Sequence, residues 1–285
     1  MNDILQLVEC PRDAMQGWKS MISSSKKIQY INALLKVGFH TLDMGSFVSA
    51  KLIPQMADTA EILQGINAND RKSALLAIIA NTRGAEQAAG FDNISYLGFP
   101  FSISATFQIR NTNSDPVESI ERLKEIQSIC LNSGKKLVVY MSMGFGNPYG
   151  DPYNLDILSG WMKKIALLGA ETISIADTVG IATAGQVNKV VSEITPMFPN
   201  ITVGVHLHSG TGNMLEKLDA AYSAGCRRFD GAINGIGGCP MANDELVGNM
   251  DTLKMVKYFQ QKGQLKEMDM NALESSRQIA LDIFS

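Results

Sequence analysis

The sequence predicts an α/β protein folded as a closed (β/α)8 TIM barrel with one additional C-terminal helix. Short, apolar, β-rich runs alternate eight times with longer amphipathic stretches, as in a parallel barrel. Several helical stretches end at a glycine just before a strand, a position that favours the left-handed backbone: Gly38, Gly134, Gly169 and Gly225. The chain has 285 residues, and such barrels run to about 250 residues as one unit. We therefore expect one catalytic domain over 1–285, with 264–285 as a C-terminal helical extension.

In chain order, the predicted strands are Leu5–Glu9, Thr41–Met44, Ala74–Ala80, Ile94–Gly98, Lys136–Ser142, Thr172–Ala176, Ile201–Leu207 and Arg228–Ala232. Apolar residues three and four positions apart predict helices at Lys26–Val37, Pro116–Asn132, Leu155–Leu168, Ala184–Phe198, Asn213–Ala224 and Met270–Phe284. The alternative is an open doubly wound sheet. The first strand is not followed by the glycine-rich phosphate fingerprint that such a fold carries, so the barrel is favoured.

Composition excludes several classes of function. The net charge is −3 with no Lys/Arg block, so we expect no nucleic acid partner. No apolar run approaches the roughly 20 residues that span a bilayer, so we expect no membrane partner either. No basic start resembling a leader is visible, and the four cysteines are scattered. We therefore expect a cytoplasmic protein with reduced thiols.

Polar residues cluster where the predicted strands end. Because the chemistry of these barrels lies at the C-terminal ends of the strands, residues distant in sequence meet at one mouth. The residues concerned are Arg12, Asp13, Asp43, Asp177, His206 and His208. A protein core does not gather charges at one end without a use for them, so this convergence predicts an active site.

Two of these residues predict a metal site. Alternate side chains of a strand share one face, so His206 and His208 point the same way. With the carboxylate of Asp13 they form a mixed nitrogen and oxygen donor set that suits Mg, Mn or Fe(II). The alternatives are that the histidines bond each other and that Asp13 is a turn residue or helix cap. Arg12 either stabilises a developing oxyanion or pairs with a neighbouring carboxylate.

A glycine-rich loop follows the eighth strand and carries Cys239 beside Gly237 and Gly238. A thiol on a mobile loop above the mouth can act as a proton donor or a nucleophile. Simple turn chemistry is the alternative. The other cysteines, Cys10, Cys130 and Cys226, lie in apolar runs and are expected in the core.

These motifs resemble a known family. Arg12-Asp13-Ala-Met-Gln16, Asp177-Thr-Val-Gly and His206-Leu-His208 are similar to the metal-dependent barrel superfamily of Claisen-type lyases and synthases. Ser46-Phe-Val-Ser-Ala-Lys51 and Gly237-Gly-Cys239-Pro narrow the resemblance to hydroxymethylglutaryl-CoA lyase. The similarity runs from about Leu5 to beyond Asn249.

The resemblance implies a divalent cation, Mg or Mn, held by Asp13, His206, His208 and Asn249. It implies Arg12 as the enolate stabiliser, Cys239 as a loop thiol needed for turnover and Asp177 as a carboxylate that lines the site. Asp43 falls where the family has glutamate. A nearby base, His206 or Asp177, would take the proton of the substrate's tertiary hydroxyl. The implied reaction splits hydroxymethylglutaryl-CoA into acetyl-CoA and acetoacetate, as in leucine breakdown and ketone-body formation. A homodimer is also implied.

Some positions depart from the family pattern: Ala14 replaces glycine, Ser209 replaces aspartate and Ala105 replaces glutamate. These changes bear on acyl specificity more than on metal binding. Three alternatives therefore stay open. They are a lyase for a related branched acyl-CoA, a synthase that condenses acetyl-CoA with an α-keto acid, and a ligand-binding barrel without catalysis.

Overall fold

The computed structural model describes residues 4–67, 69, 71–210, 212–238 and 247–285. Eight parallel strands form a closed barrel in chain order, and the last pairs with the first. The strands are β1 Gln6–Glu9, β2 Thr41–Ser46, β3 Ala74–Ile78, β4 Ile94–Ser102, β5 Lys136–Ser142, β6 Thr172–Asp177, β7 Thr202–Leu207 and β8 Arg228–Gly231. The predicted TIM barrel is confirmed.

The helices of the described ranges surround the barrel. They are α1 Pro11–Gln16, α2 Ser24–Leu34, α3 Thr59–Gln64, α4 Thr82–Ala89, α5 Ala105–Thr112, α6 Pro116–Asn132, α7 Leu155–Leu167, α8 Ala184–Ile194, α9 Met214–Ser223, α10 Thr252–Gln261 and α11 Met270–Ile283. The local sequence explains where several of these helices begin. Asp115 accepts hydrogen bonds from the backbone N–H groups of Val117 and Glu118 and caps α6.

The C-terminal helix α11 packs on α2 at the outside of the barrel. Phe284 stacks edge-on against Trp18 with ring centroids 5.2 Å apart, and Lys26 pairs with Asp282 at 3.0 Å. The expected additional helix is therefore present. The single-domain assignment, with its extension from residue 264, stays a prediction. Within the described ranges, no helix combines the length and apolarity that crossing a membrane requires.

The barrel interior has an apolar side and a polar side. Leu76, Ile78 and Val138, from β3 and β5, form a buried apolar cluster with Tyr140. Across from them, β6, β7 and β8 carry buried polar groups. On β8, Arg228 and Asp230 alternate with the apolar Phe229, whose ring packs 4.9 Å from that of Phe259. The polar side leads up to the histidines at the mouth.

Candidate active site

Four of the predicted residues line a cavity of about 560 Å³ at the C-terminal end of the barrel: Arg12, Asp13, His206 and His208. Arg12 and Asp13 reach it from α1, directly after β1, while His206 and His208 reach it from the end of β7. Asn249 arrives from the segment after β8 and forms an isolated β-bridge with His208. Five side chains from three parts of the chain thus share one place.

Asp13 is surrounded by donors. Its Oδ2 accepts from Asn249 Nδ2 at 2.6 Å, and its Oδ1 accepts from Arg12 Nη1 at 3.0 Å and from Gln16 Nε2 at 2.8 Å. Burial alone raises the pKa of Asp13, but Arg12 and the two imidazoles outweigh it and lower the pKa to about 2. Asp13 is therefore a carboxylate at neutral pH, as a metal ligand must be.

Each histidine uses Nδ1 for a contact away from the mouth. His208 Nδ1 lies 3.0 Å from the carbonyl oxygen of Val247, and His206 Nδ1 lies 3.3 Å from Asp230 Oδ2. Nε2 of both rings is left for the cavity side. Burial and the neighbouring His206 lower the pKa of His208 to about 4, so that imidazole is neutral. This is the arrangement in which a histidine binds metal through Nε2.

The hydrogen bonds of Asn249 indicate whether the site can hold a cation. Its Nδ2 donates to Asp13 and to the carbonyl oxygen of Ile236 at 2.9 Å. Its buried Oδ1 has no hydrogen-bond partner among the described residues, and an orphaned buried acceptor is costly. With Asp13 and the two Nε2 atoms, this oxygen completes a mixed donor set. The residues fit a divalent cation.

A second group of ligand atoms lies deeper in the barrel. Cys10, His206 and Asp230 bring theirs within 4.8 Å of one another. Burial, together with nearby carboxylates such as Asp230, raises the pKa of the Cys10 thiol. A protonated, buried thiol is a poor ligand, and the contact of His206 with Asp230 is explained as a hydrogen bond. We therefore favour the donor set at the mouth, rather than this deeper group, as the candidate metal site.

Arg12 is held rigidly beside this set. Its Nε donates to Asp43 Oδ2 at 3.0 Å, and its Nη2 bonds the same carboxylate. Burial by itself lowers the pKa of Arg12, but Asp43 and Asp13 outweigh it and raise the pKa, so the guanidinium stays charged. Arg12 is 8% exposed and still lines the cavity. Arg12 can therefore pair with Asp43 and Asp13 and still contact a ligand in the cavity, so the two roles predicted for it are compatible.

Asp177 forms a buried ion pair that its sequence position did not indicate. It is 1% exposed, pairs with Lys217 Nζ at 2.9 Å and accepts the backbone N–H of Ala182. Among the described residues of β6 and the loop after it, Ala176 and Thr178 line the cavity. The ion pair lies beneath that lining. The geometry does not favour Asp177 as the base.

Lys217 was missed in the sequence. Its Nζ also donates to the carbonyl oxygen of His208 at 2.9 Å, so it ties the ends of β6 and β7 together. A clue was available in α9, where Met214, Lys217, Leu218 and Ala221 occupy the buried face. A lysine at an apolar position of a helical stripe indicates a buried partner.

Cys239 lies outside the described residues, as does the rest of segment 239–246. The preceding Gly237 and Gly238 are described, with φ of 110° and 129°, which favour glycine. A Cβ on Gly237 would lie 2.6 Å from Asn249 Nδ2 and 2.9 Å from the carbonyl oxygen of Asp13. Glycine there lets the loop lie directly on the candidate metal centre.

Fold and site together define a class, that of (β/α)8 barrel enzymes with a candidate divalent-metal centre among the loops of the mouth. The model of the HMGL-like family matches residues 5–279. The chain belongs to the HMGL-like family, and the resemblance seen in the sequence is confirmed.

Relatives and solved structures agree with this assignment. A hydroxymethylglutaryl-CoA lyase of Gallus gallus mitochondria is 32% identical over 248 residues, 86% of this chain and 82% of that protein. A cytoplasmic 3-hydroxy-3-methylglutaryl-CoA lyase of Danio rerio is 31% identical over 243 residues, 85% of this chain and 71% of that protein. An HMG-CoA lyase of Acinetobacter baumannii, solved with coenzyme A and 3-methylmalate, has a TM-score of 0.90 and 29% identity, covering 99% and 92% of the two chains.

Proposed function

We propose that this protein is a divalent-cation-dependent carbon–carbon lyase that cleaves hydroxymethylglutaryl-CoA into acetyl-CoA and acetoacetate by a retro-Claisen reaction. The observation that carries the proposal is the donor set of Asp13, His206, His208 and Asn249 beside Arg12. Membership in the HMGL-like family and relatives named as hydroxymethylglutaryl-CoA lyases support the same reaction.

The first chemical difficulty is the tertiary hydroxyl of the substrate. An alcohol pKa of ~16 makes its alkoxide uphill by roughly 12 kcal/mol at pH 7, at about 1.36 kcal/mol per pKa unit. A divalent cation held by Asp13, His206, His208 and Asn249 would supply Lewis acidity, which lowers the pKa of a bound oxygen by several units. Mg or Mn is the proposed ion, because the family resemblance implies it and because the oxygens of Asp13 and Asn249, with substrate oxygens, suit both.

The hydroxyl proton must also have an acceptor within the cavity. Of the two candidates, the structure favours His206, because it lines the cavity and Asp177 does not. Since Nδ1 of His206 faces Asp230, only Nε2 is available on the cavity side, and its single lone pair binds either the cation or the proton. His206 would therefore accept the proton with Nε2 released from the cation, which Asp13, His208 and Asn249 would continue to hold.

Arg12 would stabilise the thioester enolate that carbon–carbon cleavage leaves. Its guanidinium is held in place by Asp43 and Asp13, so little reorganisation accompanies the charge development. One preorganised donor of this kind is typically worth about 3 kcal/mol of transition-state stabilisation. Asp43 acts here by orienting Arg12. Cys239, which follows Gly238 in the sequence, would return a proton to the enolate carbon.

The cavity walls bear on acyl specificity. Val48, Leu52, Ile53, Ile78 and Ile109 all line it, and they give one side an apolar character. This observation favours a second candidate substrate class, acyl-CoA esters with a larger branched chain. An apolar pocket discriminates one methylene by only about 1–3 kcal/mol, so both classes can be substrates of one enzyme.

Three further assignments belong to the proposal. The substrate is bound as its coenzyme A ester, as supported by the Acinetobacter baumannii complex with coenzyme A. The protein is a homodimer, and it acts in the cytoplasm, like the Danio rerio relative whose name includes that compartment.

The test is incubation of the purified protein with hydroxymethylglutaryl-CoA and Mg²⁺ or Mn²⁺, with acetoacetate as the readout. We expect cation-dependent acetoacetate formation that a chelator abolishes and that Asp13→Asn loses. Asp156→Asn, at an exposed position of α7, is the matched control and stays active. No acetoacetate with either ion would refute the proposal. Product from acetyl-CoA and an α-keto acid instead would identify a synthase.

A further inference from the structure

Four buried polar side chains project into the barrel beneath the mouth, and we call them the interior polar file. They are Ser174 on β6, His206 on β7, and Arg228 and Asp230 on β8. Only His206 has a role in the proposed reaction. The other three lie on the far side of its ring from the candidate cation.

Asp230 is the centre of the interior polar file. Its Oδ2 accepts from His206 Nδ1 and from Ser174 Oγ, both at 3.3 Å. Its Oδ1 faces Arg228 Nη2 at 4.0 Å. A carboxylate against Nδ1 keeps the proton of a neutral imidazole on that nitrogen, which leaves the lone pair on Nε2.

We propose that Asp230 is a positioning residue that holds His206 in the Nδ1–H tautomer, with Nε2 aimed at the mouth. This inference rests on the proposed metal site and deepens it. A carboxylate partner raises the basicity of the ligating nitrogen.

Arg228 supports Asp230 from below. A carboxylate that is 2% exposed needs a cation nearby, because an isolated buried charge is costly. Room for the arginine comes from Gly204, two residues before His206 on β7. A Cβ there would lie 2.9 Å from both Cγ and Cδ of Arg228. The stem of Arg228 thus lies across the glycine, and its guanidinium is held on the Oδ1 side of Asp230.

The geometry predicts how an amide would sit at this position. In Asp230→Asn, the positive charge of Arg228, whose Nη2 lies 4.0 Å from the Oδ1 site, favours the amide oxygen at that site. The Ser174 hydroxyl, which donates to Oδ2 in the wild type, can rotate to accept, so the amide NH2 turns toward Ser174 and His206. An NH2 donor against Nδ1 forces the imidazole proton to Nε2, the tautomer that cannot bind a cation through Nε2. The substitution is close to isosteric and changes the tautomer without emptying the core.

The experiment is 15N NMR of histidine side chains in the metal-free protein at a pH where the imidazoles are neutral. The chain has 3 histidines, so assignment is direct, and His40 near the opposite end of the barrel is an internal reference. We expect His206 to carry its proton on Nδ1 in the wild type and on Nε2 in Asp230→Asn. The affinity for Mn²⁺ should fall about 10- to 100-fold in that variant.

Ser174→Ala is the matched control, because it removes the other donor to Oδ2 and keeps the carboxylate. It should leave both the tautomer and the Mn²⁺ affinity as in the wild type. A wild-type His206 protonated on Nε2 overturns the inference without any variant, even if Asp230→Asn does not fold. So does an Asp230→Asn protein with an unchanged tautomer and affinity. The proposed function fails separately. In that case His206 has the expected tautomer, but the wild-type protein forms no acetoacetate.

Discussion

Lys217→Met is predicted to destabilise the protein strongly, because it removes one partner of a buried ion pair. Lys217 is fully buried and Asp177 is 1% exposed, with 2.9 Å between Nζ and Oδ2. Removing one member of such a pair leaves an uncompensated charge and typically costs about 3–5 kcal/mol. The carbonyl oxygens of Gly180 and His208 also lose a donor. We therefore expect the upper part of that range.

The assay is urea unfolding of the full chain at neutral pH, with Lys136→Met as the matched control. Lys136 also pairs at 2.9 Å, with Glu171, but its side chain is 55% exposed. An exposed pair of this kind is worth at most about 1 kcal/mol. The double variant Asp177→Asn with Lys217→Met should be more stable than the two separate losses imply, since the unpaired charge is gone. A loss below about 1 kcal/mol for Lys217→Met would refute the reasoning.

Three further predictions concern the site and its surroundings. Arg12→Gln should lower kcat about 10²- to 10³-fold, with Mn²⁺ affinity, measured by calorimetry, much less affected; an unchanged kcat would remove Arg12 from enolate stabilisation. Cys239→Ala should cut turnover severely while leaving Mn²⁺ binding intact, and near-normal acetoacetate production would exclude the thiol. Burial, outweighing donors such as Thr252, raises the pKa of Glu9 to about 8. The stability that protonated Glu9 contributes is therefore fully present below about pH 4.5 and is lost progressively as the pH rises to about 8. In urea titrations, wild-type stability should fall relative to Glu9→Gln between about pH 4.5 and 8 and then level off; parallel curves over that range would contradict this.

The barrel was predictable because its sequence pattern is local. Each strand is a short apolar run, and each was found within a few residues of its expected bounds. The largest difference is β4, which continues past Gly98 and Pro100 to Ser102. Glycine and proline are unfavourable in strands, and here both face the crowded barrel interior. A Cβ on Gly98 would lie 2.6 Å from Ile78 Cδ1, so interior packing, rather than strand propensity, explains the glycine at this position.

The meeting of Asp13, His206 and His208 followed from topology, because the ends of parallel strands share one mouth. Asn249 was placed by resemblance, and the structure brings it to Asp13 by way of the β-bridge to His208. The pairing of Asp177 with Lys217 was not predictable. It joins residues 40 positions apart through side chains alone, and no backbone pattern reports such a contact. Topology thus indicated where the site lies, and side-chain packing decided which carboxylates face it.

The central claim is that one cation is held by Asp13, His206, His208 and Asn249. The most direct measurement is a crystal structure of the protein soaked in Mn²⁺, with the anomalous signal locating the ion. We predict one strong peak at bonding distance from Asn249 Oδ1, an oxygen of Asp13 and Nε2 of both histidines. A peak instead among Cys10, His206 and Asp230, or no peak at the mouth at saturating Mn²⁺, would contradict the account.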